Sequence, residues 1–269
     1  MRKQPQKIES RQNSRVKQLR AVFAGNPRLS DGQVGIEGVH LLQELLRSGL
    51  QPEAVFVSED GVALLEQFDF AAQVAVFEVP DDILRSALAT EAPQGIAALL
   101  APPVFDRDSL LGSDTASVPL VLVAAGLQDP GNLGTLIRSA EAFAATGVLC
   151  LPGTVSVWNQ KAMRASAGSV FRVPVVQASG MVDLQWLRQS ALRVFAGVAR
   201  DATRPDHADL RGPVALLIGN EGAGLSEEVL AFADERITIA CPGDVESLNA
   251  AVAGSLLLYE AAKQRGRRL

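Results

Sequence analysis

The chain reads as an α/β protein of two domains, and three observations lead there. Short apolar runs of strand length alternate with helical patterns along nearly the whole sequence. One segment rich in Pro, Ser, Asp and Gly, residues 101–118, interrupts that alternation. The 269 residues, 48% hydrophobic and 20% charged, suffice for one large core or two modest ones. That hydrophobic content excludes a disordered or collagen-like chain.

Each element has its own reason. Residues 13–24 and 38–48 carry helical periodicity, and Val39, Leu42, Leu45 and Leu46 recur along one face of the second. Residues 54–57, 73–79 and 95–100 read as buried strands with helices between them, closing a first α/β domain at 1–100. After the 101–118 linker, a second domain at 119–269 repeats the alternation with stronger strands, at 120–125, 147–151, 172–176, 193–198, 214–218 and 236–240. Helical stretches lie near 134–145, 160–167, 181–191, 226–233 and 248–265. Nearly continuous apolar strands indicate a mostly parallel sheet with helices on both faces. Ligands of such sheets sit at the carboxyl ends of strands, which directs attention to the loops after Ala125, Ile218 and Ala240.

Composition narrows the function class. The longest apolar run, 120–125, falls far short of the roughly 20 residues of a membrane span. The basic, polar N-terminus has no apolar core and is not a secretory signal. Cys150 and Cys241 stand far apart and make neither a disulfide framework nor a zinc spacing, which favours a reducing, cytoplasmic setting. His40 and His207 supply metal and Ser-His-Asp chemistry poorly, so no metal site is expected. Residues 1–28 carry eight basic residues and one acid, a local charge of +7 against −12 on the remainder. Read as an arm, that stretch suits a polyanion touching part of an acidic surface; a solvated tail fits it as well.

Three loops differ from ordinary connectors. The first, from Gly126 to Phe143, contains Asn132 as a candidate helix cap, glycines at 131 and 134, and Arg138 two turns into the helix. A guanidinium there can address phosphate or carboxylate through its planar fork, although a surface arginine beside a helix cap fits the segment equally. The second, Gly219-Asn-Glu221-Gly-Ala-Gly224, follows an apolar strand and leads to Ser226, a candidate cap with Glu227 and Glu228 behind it. It matches neither the dinucleotide fingerprint nor the phosphate loop, and its carboxylate suits a cationic or neutral ligand. The third runs from Ile239 through Gly243 to Ser247, Leu248 and Asn249, with Ser247 as the expected cap of an alanine-rich last helix.

Together the loops resemble the SpoU (TrmH-type) branch of the SPOUT RNA methyltransferases. Asn132-x-Gly134-x-x-x-Arg138-x-Ala140 looks like the first family motif. Gly219-x-Glu221-x-x-Gly224-Leu225 looks like the second, and Gly243-x-x-Glu246-Ser247-Leu248-Asn249, running to Tyr259-Glu260, like the third. Residues 161–168 are similar to an intervening family stretch, and the resemblance spans about 119–265. The first domain, with Ile8-Glu-Ser-x-x-Asn13 and Ile36-Glu-Gly-Val-His40, more loosely resembles the L30e-like substrate-binding domain of that family. The sequence departs from the family at Ala240-Cys241, where Pro-Met is usual, and at Ala144, where Gly is frequent.

The resemblance implies S-adenosylmethionine as methyl donor, an RNA ribose 2′-hydroxyl as acceptor, a C-terminal trefoil knot and a homodimer with the site completed near the subunit interface. By the same resemblance Arg138 is the central catalytic residue, with Asn132, Glu221, Ser247 and Asn249 fixing it and the ribose by hydrogen bonds. Main chain at Gly219, Ile239 and Leu248 is implied to hold the cofactor's adenosine. Because a guanidinium stays protonated, Arg138 suits orientation and charge stabilisation better than proton abstraction. Ribosomal RNA of the large subunit is the favoured substrate, with transfer RNA as alternative. A non-catalytic RNA-binding or ribosome-assembly protein and a nucleotide-dependent oxidoreductase are the rival classes. Intact Arg138, Glu221 and Asn249 weigh against the first, and the missing dinucleotide fingerprint weighs against the second.

Overall fold

The structure, a computed structural model, describes residues 4–25, 32–88, 93–112 and 117–266. Arg2, Lys3, Arg28, Arg267 and Arg268, which contribute to the basic ends, lie outside the described residues, as does part of the 101–118 segment. The chain divides into two compact units, residues 1–103 and 104–269.

The first unit contains β1 (Gln6–Lys7), α1 (Ser14–Phe23), β2 (Val34–Glu37), α2 (Val39–Arg47), β3 (Ala54–Ser58), β4 (Ala75–Val79), α3 (Asp81–Ala87) and β5 (Ile96–Leu100). Its five-stranded sheet has the order β1-β4-β3-β5-β2, parallel from β1 to β3 and antiparallel at β5 and β2. Asn13 caps α1 by accepting from the Arg15 N–H at 2.9 Å. Val16, Leu19, Val22 and Phe23 are buried in the core with Phe56, Phe77 and Leu84. Within residues 4–25 the basic stretch is therefore built into the domain through β1 and α1. Its cations partly serve that fold, since Lys7 pairs with Glu78 at 3.2 Å and Arg11 with Asp82 at 2.5 Å. Two further differences have local causes. Residues 62–67 form a 3-10 turn without a buried side chain, so no amphipathic face rewards an α-helix there. The short edge strand β2 contains Gly35, where a Cβ would lie 2.5 Å from the Phe23 ring.

The second unit contains β6 (Leu120–Ala124), α4 (Pro130–Ala142), β7 (Gly147–Cys150), α5 (Gln160–Ser166), β8 (Val175–Gln177), α6 (Met181–Gln189), β9 (Arg193–Gly197), β10 (Val214–Ile218), α7 (Glu227–Phe232), β11 (Glu235–Ile237) and α8 (Ala250–Gln264). All ladders are parallel in the order β11-β9-β10-β6-β7-β8. Every residue of β6, β7 and β10 is buried, as double-sided coverage demands. Leu184, Leu187 and Val229 of α6 and α7 pack against the sheet in one cluster. Leu110, on a 3-10 turn at Asp108–Leu111, is buried in that cluster too, so part of the Pro/Ser-rich segment belongs to this core.

Some boundaries moved for physical reasons. The strand expected at 172–176 begins only at Val175, because Pro174 has no N–H to donate and Arg172 is turned to Glu141 of α4. The strand expected at 236–240 ends at Ile237, which frees Ile239 from the sheet. At its far end α8 is anchored by Arg265, whose guanidinium donates to the carbonyls of Val118, Pro119, Leu210 and Gly212 at 2.6–3.1 Å.

Candidate active site

Strand order creates the site. β6 and β10 are hydrogen-bonded neighbours, yet β6 continues through α4 to β7 on one side and β10 through α7 to β11 on the other. Connections that leave adjacent strands in opposite directions open a crevice at their carboxyl ends. The loop before α4 and the 219–224 turn meet there. The turn closes on itself, with Asn220 and Gly224 exchanging main-chain hydrogen bonds at 2.9 and 3.0 Å. The Asn220 side chain accepts from the N–H groups of Gly222 and Ala223 and donates to the Gly126 carbonyl at 2.8 Å. Position 219 has no room for a side chain, since a Cβ would lie 2.4 Å from the Gly224 carbonyl carbon.

Glu221 ties the two loops together. Its carboxylate accepts from the N–H of Gln128 at 3.2 Å, the N–H of Asp129 at 3.1 Å and the Asn132 side-chain amide at 2.9 Å. The Asn132 carbonyl oxygen in turn accepts from the Asn249 amide at 3.0 Å. The Asn249 carbonyl oxygen caps α8 by accepting from the N–H groups of Ala251 and Val252. One polar chain thus joins the β10 turn, the first turn of α4 and the first turn of α8. Partial burial pushes the Glu221 carboxyl up, but the bonds from Asn132, Gln128 and Asp129 outweigh it and hold the group below its ordinary range.

Two capping expectations need correction. Asp129, not Asn132, caps α4, accepting from the Gly131 N–H at 2.6 Å with Pro130 at the first helical position. Asn132 is thereby released to face Glu221. Asn249, not Ser247, caps α8, because the helix begins at Ala250. Ser226 does cap α7, accepting from the Val229 N–H at 3.4 Å.

Asn132, Glu221 and Asn249 are thus brought together, and Ser247 and Arg138 are not. Ser247 is exposed at the cleft without a hydrogen bond to a described residue. Arg138 is exposed on α4 and likewise makes no hydrogen bond or ion pair among the described residues. Six residues separate it from Asn132, about 9 Å of axial rise and about 120° of rotation. The Asn132 side of α4 meets α8, with Leu136 beside Gly254, Ser139 bonded to Ser255 at 2.7 Å and Phe143 edge-on to Tyr259. Arg138 itself faces solvent, roughly 100° or more round α4 from that contact, while α8 leaves Val252, Leu256 and Tyr259 exposed.

A cleft opens beside the Glu221 turn. Gly219, Ile239 and Leu248 all line it, together with Val198, Ile218 and Leu257. Its lining, apolar side chains with a few polar groups, is of the kind that holds a small organic ligand such as a nucleoside. Leu248 makes no hydrogen bond among the described residues, which leaves its main-chain groups for a ligand. The Glu221 carboxylate at the same wall complements a cation such as a sulfonium or ammonium. S-Adenosylmethionine therefore fits the residues present. Sequence reasoning missed Asn220, whose side chain builds the turn, whereas Cys241, singled out as a departure from the family, lines the cleft with its thiol turned to the Ile239 carbonyl. An Asn between Gly219 and Glu221 carried a turn signal that Glu221 overshadowed. No cluster of three or more potential metal ligands occurs among the described residues.

Residues 119–259 match the SpoU rRNA Methylase family. The chain belongs to that family. This SpoU family member is accordingly an S-adenosylmethionine-dependent RNA methyltransferase, with a mixed α/β fold shared by SPOUT enzymes. Residues 13–98 match an MRM3-like substrate binding domain. The Bacillus subtilis 23S rRNA (guanosine(2553)-2′-O)-methyltransferase RlmP is 31% identical over 253 residues, covering 94% of this chain and 97% of that one. A solved RNA 2′-O ribose methyltransferase aligns with TM-score 0.79 and 34% identity over 96% of this chain and 99% of its own. AviRb from Streptomyces viridochromogenes, solved with AdoMet, aligns with TM-score 0.83 and 26% identity over 96% and 100%.

Proposed function

We propose that the protein methylates a ribose 2′-hydroxyl in 23S ribosomal RNA. The observation that carries this reading is the Glu221–Asn132–Asn249 chain, set at the edge of a cleft lined by Gly219, Ile239 and Leu248. Bound in that cleft, S-adenosylmethionine supplies an electrophilic methyl group. The protein's own task is to present an oxygen nucleophile in line with it. Arg138 donates to the attacking oxygen and to a neighbouring phosphate, stabilising alkoxide charge as the hydroxyl proton passes to solvent water. Asn132 and Asn249 set the ribose against the cleft, and Glu221 holds both loops in register. The choice of ribosomal over transfer RNA is supported by RlmP, whose name places its own methylation in 23S rRNA.

The same reading includes a homodimer. Val252, Leu256 and Tyr259 lie on one face of α8 at positions i, i+4 and i+7 and are 41–48% exposed. A second copy seated on that face would cover these exposed apolar side chains. The trefoil knot belongs here too, supported by the way Ser247, Leu248 and Ala250 line one cleft with the 219–222 turn. The first unit is assigned RNA capture, and a cytoplasmic location is the reading that two widely spaced free cysteines support. Mapping ribose methylation across total RNA from cells with and without the protein tests this reading. One 23S position that loses its methyl group supports it, whereas a loss confined to transfer RNA, or no loss, rejects it.

A further inference from the structure

Within the second unit the cations are almost all engaged. Among its described residues, only Arg138, Arg164 and Arg236 have side chains without a hydrogen bond, ion pair or ring contact. The first two stand on adjacent helices. Gly134 lets α4 and α5 approach closely, since a Cβ there would lie 2.2 Å from the Ala162 carbonyl oxygen and 2.7 Å from the Ala165 side chain. With Ala162 and Ala165 turned to α4 and Met163 and Ser166 buried, α5 leaves Lys161 and Arg164 exposed one turn apart.

Lys161 marks where this pair begins. Its ammonium lies 2.8 Å from the Asp129 carboxylate that caps α4, and its stem packs where a Gly131 Cβ would come within 3.1 Å. Asp129 is also the residue whose N–H meets Glu221. Lys161 therefore starts at the site, and its side chain, 59% exposed, keeps ammonium donors free for a second anion. Arg164 follows about 4.5 Å further along α5, and Arg138 lies about 10 Å beyond Gly131 on the exposed side of α4. The cations thus trace a line that leaves the site along the α4–α5 surface. Asp129 offsets the first of them, so Arg164 and Arg138 carry the attraction.

We propose that Lys161 and Arg164, continued by Arg138, form a track for successive phosphates that seats the RNA backbone beside the site. The inference rests on the RNA methyltransferase reading and adds the α5 surface to it. Unengaged guanidiniums on an otherwise ion-paired unit are complementary to a phosphodiester chain, which presents acceptors at regular intervals and matches their fork.

The test is the salt dependence of binding to a 23S rRNA transcript, measured for wild type, Arg164→Ala, Arg164→Lys and Arg236→Ala. Position 236 lies on β11, at the sheet edge opposite β8, and serves as the charge-matched control. Loss of one phosphate contact flattens the logarithmic salt slope by about 0.7–0.9. Arg164→Ala is expected to show that change with cofactor affinity retained, while Arg164→Lys keeps the wild-type slope. Arg236→Ala is expected to match wild type. An unchanged slope in Arg164→Ala, with the wild type still methylating the transcript, overturns the track alone. An equal flattening in Arg236→Ala also overturns it, since the effect would then be one of net charge. A wild type that neither binds nor methylates the transcript overturns the track and the reading beneath it.

Discussion

Replacing Glu221 by Gln keeps the shape of the side chain and removes its charge. In the native site one carboxylate oxygen accepts from Asp129 and Asn132 and the other from Gln128. An amide can satisfy only one side; its NH2 group would face an N–H donor on the other. One hydrogen bond is lost and two lose their ionic assistance. A hydrogen bond to a charged group contributes about 1.5–3 kcal/mol net, and solvent competes at this exposed position, so a local loss of about 1–2 kcal/mol is expected. Hydrogen exchange at the Gln128 and Asp129 amides reads this directly, and should accelerate about 5- to 30-fold. Methyl transfer should fall by about tenfold or more, because Asn132 and Asn249 lose their anchor. The pH dependence has a definite sign. The folded-state pKa of Glu221 is lowered, so its contribution is present above the ordinary carboxylate range and is lost as pH falls through the lower folded value. Protection of both amides should therefore hold from neutral pH down to the ordinary carboxylate pKa and collapse only below it, and Glu221→Gln should lack that transition. Wild-type exchange and wild-type turnover in Glu221→Gln would refute the reasoning.

Arg138→Ala and Arg138→Lys should both lose methyl transfer by a factor of order 10² or more in single-turnover assays, with cofactor affinity by calorimetry unchanged. Leu256→Asp should give a monomer in sedimentation, with activity lost. Gly254→Leu should instead destabilise the subunit by about 1–3 kcal/mol, because a Cβ there falls 2.4 Å from Leu136 and 3.2 Å from Ile218 within the same chain. Thermal unfolding separates these two outcomes. Thiol alkylation should label Cys241 and be slowed by S-adenosylmethionine, while Cys150, buried and with its pKa pushed up to about 12, should stay unmodified under native conditions. Peptide mapping decides this, and labelling of Cys241 indifferent to the cofactor would place the thiol outside the binding cleft.

The parallel sheet was legible because β6, β7, β9 and β10 are apolar runs with no competing period, and the three loops at its carboxyl edge stood out by their glycines. Asn132, Glu221 and Asn249 were identifiable as chemistry-bearing residues, but their mutual arrangement was not. Which residue caps a helix depends on where the helix starts, and Pro130 and Ala250 each moved that start by a few residues, reassigning Asn132 from capping duty and giving it to Asn249. The basic N-terminus looked like a tail in a count of charges, while the apolar spacing of Val16, Leu19, Val22 and Phe23 within it already described a core helix. Gly254 shows what the alanine-rich composition of the last helix does not convey. Smallness permits close approach, but only the fold reveals that the approaching group is Leu136 of the same subunit. The freedom of Arg138 and Arg164 was equally invisible, since it depends on where the acids of other elements fall.

The most direct test of the account is reconstitution with purified protein, S-adenosylmethionine labelled in its methyl group, and a 23S rRNA transcript, followed by alkaline hydrolysis and nucleotide analysis. The account predicts label at one position, in a dinucleotide that resists alkali because its ribose 2′-oxygen is blocked, with transfer abolished in Arg138→Ala. Label recovered on a base, label spread without position preference, or transfer that survives the loss of Arg138 would contradict it.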